Sequence, residues 1–292
     1  MRPVLTALLL TLSLAASLVP LLPERGEGVT GASAPAGLPL LEKPTDLTAD
    51  SITIDNSGTS AEAAGHVTIR YGELRATGDR LRLSRPARTA TFTGHVTVTE
   101  PRGHASADSI TLYVSEQFQV TRVVLAGNAS AETPEYAVHA DRIEGDRQAS
   151  TLAASGHTSL FAAPDLTVTG TSAVYDLRTE YGVVSGDAAT PSVVRNKDGY
   201  VQGSRIEVFR PAQRVVVHGP VEAEAYGATL RAENATVDLR REIAVVTGHV
   251  VLTRPLQILH ADRVTVLYRD RRVIAEGATH MSVGGLSDSD LP

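Results

Sequence analysis

Four of the nine histidines, His66, His95, His157 and His249, each follow a glycine, and Asp50, Asp79, Asp108, Asp141 and Asp262 recur alongside them. Imidazoles in series could ligate a metal, and repeated carboxylates could pair as general acid and base. Their spacing argues against both. The alternation of apolar residues puts the histidines on the outward side of strands, one per segment. Equivalent positions two strands apart lie roughly 9.5 Å from each other, whereas the ligands of one metal lie within about 4 Å. One aspartate per segment, always at the same relative place, reads as a structural mark, because aspartate readily bonds nearby backbone groups. There is no Gly-x-Ser-x-Gly elbow, Walker loop or His-Glu-x-x-His pair. Cysteine is absent, which removes thiol chemistry, thiolate metal sites and disulfides. The sequence therefore predicts no catalytic residue, no metal and no cofactor.

A repeat sets the elements that must carry these residues. Gly65, Gly94, Gly127, Gly156, Gly186, Gly219, Gly248 and Gly277 are separated by 29, 33, 29, 30, 33, 29 and 29 residues. A second mark follows each of the first seven: Gly78-Asp79, Ala107-Asp108, Ala140-Asp141, Gly170-Thr171, Gly203-Ser204, Ala232-Glu233 and Ala261-Asp262, with a half-unit at Ala49-Asp50. A fixed period of about 30 residues means a repeat architecture. The clearest unit, Thr89 to Val114, alternates Phe92, Gly94, Val96 and Val98 and then Ile110, Leu112 and Val114. Period two means a strand with one buried face. Short turn signals such as Pro101-Arg102-Gly103, Asp198-Gly199 and Arg210-Pro211-Ala212-Gln213 separate the half-units. Connections that short join antiparallel neighbours, so an all-β meander of roughly 15 strands is expected.

The middle of each strand carries a further device. Val138 and Ala140 share a face, but the next apolar residue is Ile143, three along, and the same slip separates Ala76 from Leu81. One extra residue that resets the facing is what a β-bulge or corner does, and small residues suit it. If every strand bends there, the sheet folds lengthwise into a V-shaped β-jellyroll.

The ends read differently. Arg2 precedes an uncharged apolar run from Val4 to Leu22, with small residues at Ala15, Ala16 and Ser17. Residues 1–22 are expected to be a cleaved secretory signal, the alternative being an uncleaved N-terminal anchor. Residues 23–45 read as a Pro/Gly/Ala linker, 46–284 as the repeat domain and 285–292 as a polar tail. A net charge of −6, with lysine only at Lys43 and Lys197, argues against a nucleic-acid partner.

The recurring phrase resembles a known family. Ala63-Ala64-Gly65-His66-Val67, Thr93-Gly94-His95-Val96 and Thr247-Gly248-His249-Val250, with Ala107-Asp108-Ser109-Ile110 and Ala261-Asp262-Arg263-Val264, look like the organic-solvent-tolerance (OstA-like) family. That family includes the lipopolysaccharide transport proteins LptA and LptC and the N-terminal region of the outer-membrane assembly protein LptD. The resemblance covers about residues 46 to 284 and departs in two respects: the array is longer than a minimal single-domain member, and Gly127 to Gly186 is spelled loosely. It implies a folded sheet with an apolar interior that carries lipid acyl chains across the periplasm. It also implies end-to-end association through open sheet edges, with copies of itself or with other members.

Residue chemistry is consistent with that implication. Burying acyl chain is worth ~0.8 kcal/mol per CH₂, so half of a 12-carbon chain contributes roughly 5 kcal/mol without a headgroup contact. The inward residues expected to line such a groove are Val67, Ile69, Leu81, Leu83, Phe92, Val96, Val98, Ile110, Leu112, Leu125, Ile143, Ile206, Val217, Val221, Val250 and Val264. Each could equally be core, those nearest an open rim being the better lipid contacts. The expected cargo is lipopolysaccharide or another envelope lipid. A meander would leave its first strand, near 47–54, and its last, near 273–283, open to strand addition. Two other functions fit parts of the pattern: a structural or adhesive β-solenoid without cargo, and a carbohydrate-active parallel β-helix. The second would need its charges clustered in one stretch, and here they are spread evenly.

Overall fold

The computed structural model describes residues 45–284 apart from positions 72, 102, 117–119, 135, 163–164, 226, 268 and 271; the leader, the linker to Pro44 and the tail from 285 lie outside them. The described chain is all-β, without helix, and its strand pairings are antiparallel. It divides into two compact units, one ending at Thr158 and the other beginning at Ser159.

The first unit holds β1 (Thr45–Thr48), β2 (Ser51–Ile54), β3 (Ser60–Tyr71), β4 (Leu74–Ser84), β5 (Thr89–Glu100), β6 (Gly103–Val114), β7 (Val120–Glu132) and β8 (Tyr136–Asp146). The boundary falls inside β9 (Thr151–Ala162). The second unit continues with β10 (Leu166–Asp176), β11 (Tyr181–Ser185), β12 (Ser192–Asn196), β13 (Gly199–Gly203), β14 (Arg205–Phe209) and β15 (Arg214–Ala225). It ends with β16 (Ala228–Asp238), β17 (Ile243–Arg254), β18 (Gln257–Leu267), β19 (Arg272–Glu276) and β20 (His280–Val283).

Twenty strands exceed the expected number because four ribbons break at the midline. Strands β1 and β2 both lie along β3, β11 and β12 along β10, β13 and β14 along β15, and β19 and β20 along β18. Counted as ribbons rather than halves, the described residues form sixteen.

Register locates the crease. Ala64 pairs with Arg80 and the next pair is Val67 with Gly78, so β3 spends two residues, Gly65 and His66, where β4 spends Asp79 alone. The same offset falls at Gly94-His95 in β5, Gly127-Asn128 in β7, Gly219-Pro220 in β15 and Gly248-His249 in β17. One extra residue per crossing bends the ribbon and resets which side chains face inward.

Inward residues align across strands into continuous lanes. On one side of the crease Leu81 pairs with Phe92, Phe92 with Ile110, Ile110 with Leu125 and Leu125 with Ile143. All five are buried, and Val67 across the crease is 0% exposed. A lone sheet wets both of its faces. Among the described residues only the other half of the same bent ribbons can cover such a lane, so within each unit the halves face one another across an aliphatic interior.

Candidate functional site

Exposure grades the sixteen expected groove residues by distance from the crease. Twelve of them, Val67, Leu81, Phe92, Val96, Ile110, Leu125, Ile143, Ile206, Val217, Val221, Val250 and Val264, are buried, none above 7% exposed. The other four are half-buried: Ile69, Leu83, Val98 and Leu112. These four lie one step nearer the strand ends. Ile69 pairs with Ala76 and Ala76 with Val98, while Leu83 pairs with Ala90 and Ala90 with Leu112.

In the second unit the expected residues fall together on crease lanes. Ile206 pairs with Val217, and Val246 joins Ala235 to Val264. The accessible lane there runs through residues that the expected set omits: Ala223, Leu230, Leu252, Leu259 and Met281 are successive cross-strand partners. Leu230, Leu252 and Leu259 are half-buried and Met281 is 53% exposed. The signal for them is parity. It holds for Ala223, Leu252 and Leu259, each two residues from a buried neighbour (Val221, Val250 and Ala261), whereas Leu230 and Met281 have no buried residue at even spacing on their own strands.

Both terminal ribbons have a side without a strand among the described residues. Ile52 and Ile54 of β2 are 51% and 56% exposed, and Met281 and Val283 of β20 are 53% and 63%.

The recurring histidines and acids form one device at the crease. Gly94 has φ +82°, and a Cβ built there would overlap the side chain of Asp79 on the neighbouring strand. The next residue, His95, also has φ positive, at 47°. Asn and His enter that left-handed region more readily than most side chains. His95 then turns its Nδ1 to the Asp79 carboxylate at 3.3 Å. The same triplet joins Asp50 to Gly65-His66 at 2.8 Å, Asp141 to Gly156-His157 at 2.9 Å and Glu233 to Gly248-His249 at 2.8 Å. Asn128 Nδ2 donates to Asp108 at 3.1 Å, and the Ala278 backbone N–H to Asp262 at 2.9 Å. The loosely spelled stretch therefore keeps the device at Gly127 and Gly156.

It changes at Gly170-Thr171 and Gly203-Ser204. There the Thr171 hydroxyl donates to the Ser185 carbonyl at 3.1 Å and the Ser204 hydroxyl to the His218 carbonyl at 3.3 Å.

The imidazoles of His66, His95, His157 and His249 are 91–95% exposed. Pairs so wet contribute little to stability, because water screens them. Their use is geometric: the acid occupies the space that the glycine vacates and holds the bulge in register. Among the described residues no three histidines or acids converge as a metal site would require.

His66 provides a local test. Its hydrogen bond to the Asp50 carboxylate, together with that charge and the nearby Asp79, raises its pKa above the ordinary value. A pKa raised by folding adds stability that is fully present below the unfolded value of about 6.5 and fades as pH climbs through the folded value. In an NMR titration the His66 ring should show a midpoint above that of a free histidine, and Asp50→Asn should bring it back. An unchanged midpoint in Asp50→Asn would mean that the pair does not hold the proton.

The family described as LptA/(LptD N-terminal domain) LPS transport protein matches residues 46–151 and 229–286, together more than half of the chain. The chain belongs to this family. The unmatched stretch between those segments contains the hydroxyl-capped crossings at Thr171 and Ser204 and the broken ribbons β11 to β14. Among solved structures, the chain is similar to LptH from Pseudomonas aeruginosa, described as the LptA homologous periplasmic component of the conserved lipopolysaccharide transport device. The two share 15% identity with a TM-score of 0.32, over 51% of this chain and 87% of that one. No curated protein matches the chain.

Proposed function

We propose that this protein is a non-enzymatic carrier of lipopolysaccharide, or a related envelope lipid, in the periplasm, holding acyl chains against the aliphatic inner face of its bent ribbons. Membership in a family of LPS transport proteins supports the general role. The observation that carries the reading is the graded interior: sealed lanes at the crease, and parallel lanes toward the strand ends that remain half open in both units. Such lanes offer many similar contacts and no deep trap, so bound chains can slide. With ~0.8 kcal/mol per buried CH₂, a few methylenes suffice for reversible capture. The apolar leader, read as an export signal, supports the location. The exposed edge strands β2 and β20 suit strand addition by other components of the same transport family or by a second copy.

A photo-crosslinking residue tests the reading directly. Placed at Leu112, Val98 or Leu252 it should label with a lipid bearing natural acyl chains several times more strongly than at the outward-facing, exposed Thr97. Equal labelling from Thr97, or none from the half-open lanes, would leave the interior as plain core and favour a scaffold without cargo.

A further inference from the structure

One rim of the second unit is basic. Register carries its strand ends along a single row: Asp176 opposite Tyr181, Tyr181 opposite Phe209, Phe209 opposite Arg214 and Arg214 opposite Asp238. The row continues with Asp238 opposite Ile243, Ile243 opposite Leu267 and Leu267 opposite Arg272. The β10–β11, β14–β15, β16–β17 and β18–β19 turns therefore leave the sheet side by side. Successive turns stand two strands apart, roughly 9.5 Å. They are stitched together: the Arg210 N–H donates to the Glu180 carbonyl at 3.2 Å, the Leu239 N–H to the Gln213 carbonyl at 2.9 Å, and the Arg240 guanidinium to the Pro211 carbonyl at 3.4 Å.

Among the described residues, 176–180, 210–214, 238–242, 269–270 and 272 hold seven arginines against five acids, an excess of two positive charges in a chain of net −6. The described residues of the opposite rim of the same unit, 165–166, 196–199, 225, 227–228 and 254–257, have two cations and two acids and so no excess. The acids of the basic rim are partly committed to shaping the turns. Asp176 Oδ1 accepts the Arg178 and Thr179 N–H groups, and Asp238 Oδ1 accepts that of Arg241. Arg178, Arg214, Arg240, Arg269 and Arg272 make no ion pair among the described residues, and Arg210 and Arg241 only long ones, at 3.5 and 3.6 Å. On the corresponding rim of the first unit Arg88 is bound more closely, to Glu116 at 2.8 Å.

Immediately inside the basic row runs an apolar lane, Val208–Val215–Val237–Ala244–Val266–Val273, each the cross-strand partner of the next. It is closed at Val215, 1% exposed, and open at Val273, 42% exposed. A guanidinium is a fixed fork of donors that matches a phosphate in two-point contact. We propose that this rim takes the phosphate of a phosphorylated lipid headgroup while the acyl chains of the same molecule lie along the adjoining lanes. The inference rests on the lipid-carrying reading above and adds to it the class of lipid and the direction in which it lies: headgroup at the arginine turns, chains toward the crease.

Water-soluble dioctanoyl phosphatidic acid and dioctanoylglycerol, which differ only by the phosphate, separate the two claims when titrated against the full chain. Phosphatidic acid should bind tighter on the order of tenfold, the worth of one or two charge-assisted contacts. The preference should shrink with added salt. The exposed quadruple variant Arg178→Gln/Arg240→Gln/Arg269→Gln/Arg272→Gln should lose the preference and bind dioctanoylglycerol as the parent does. If the parent binds both lipids equally, or its preference ignores salt, the headgroup assignment is wrong and the carrier reading stands. A variant that binds dioctanoylglycerol normally and keeps the preference would also overturn the assignment. Inorganic phosphate bound as tightly as phosphatidic acid would make the rim a free-anion site and overturn it as well. Binding of neither lipid would overturn both readings.

Discussion

Gly94→Ala costs about 3 kcal/mol of unfolding free energy, the sum of a left-handed backbone penalty of about 1–2 kcal/mol and the displacement of the acid beside it. Gly94 has φ +82°, and the added methyl would sit inside the Asp79 carboxyl group on the adjoining strand. Gly58 separates the two contributions. Its φ is +63° and the space a methyl would take is open, with nothing within 4 Å, so Gly58→Ala should cost only the backbone part. Gly94→Ala combined with Asp79→Ala should recover most of the difference. Urea unfolding of the parent, the two single variants and the double variant closes the cycle, since residues in contact give non-additive losses. If Gly94→Ala is no worse than Gly58→Ala, the acid is a passive neighbour and the crease is held by backbone pairing alone.

Leu81→Ala and Leu112→Ala should separate stability from capture. Leu81 is 2% exposed in the crease lane, and its truncation leaves a cavity with nothing to refill it. The expected loss is about 3–4 kcal/mol. Leu112 is half-buried one lane nearer the strand ends, so the same truncation should cost about 1 kcal/mol, because water already reaches the site. Lipid capture per folded molecule should rank the other way, falling in Leu112→Ala and holding in Leu81→Ala. Denaturant midpoints and photo-labelling yields measured on the same preparations decide it. Parallel losses in both properties would deny that crease and open lanes have separate tasks.

Much of this arrangement is legible in the chain. Alternation at Phe92, Val96 and Val98 or at Val246, Val250 and Leu252 announces strands with one apolar face, and turn residues between them announce antiparallel pairing. The parity slip from Ala76 to Leu81 reports a bulge where the register indeed jumps, between Ala64 and Val67 on the partner strand. The histidines are different. Read one strand at a time, they look like free outward side chains, because their partners are brought beside them only by the pairing of neighbouring ribbons. The spacing nevertheless carries a clue: Asp50 to His66, Asp79 to His95, Asp141 to His157 and Glu233 to His249 are all separated by 16 residues. Exposure along a lane is less legible still. Val250 and Leu252 share a face and a chemistry, and only the curvature of the sheet makes one 1% exposed and the other accessible.

The ribbon made of β11 and β12 contains the longest break between paired half-strands among the described residues. Between Ser185 and Ser192 the chain makes a six-residue excursion, Gly186 to Pro191. Asp187 closes it locally, its N–H donating to the Thr190 carbonyl and its carboxylate accepting from Ala189 and Thr190. The flanking residues stay in line on β10, so the ladder does not register the surplus length. This is where the repeat can absorb foreign sequence: an epitope or fluorophore grafted between Asp187 and Thr190 would ride outside the pleat, leaving the lanes on either side undisturbed.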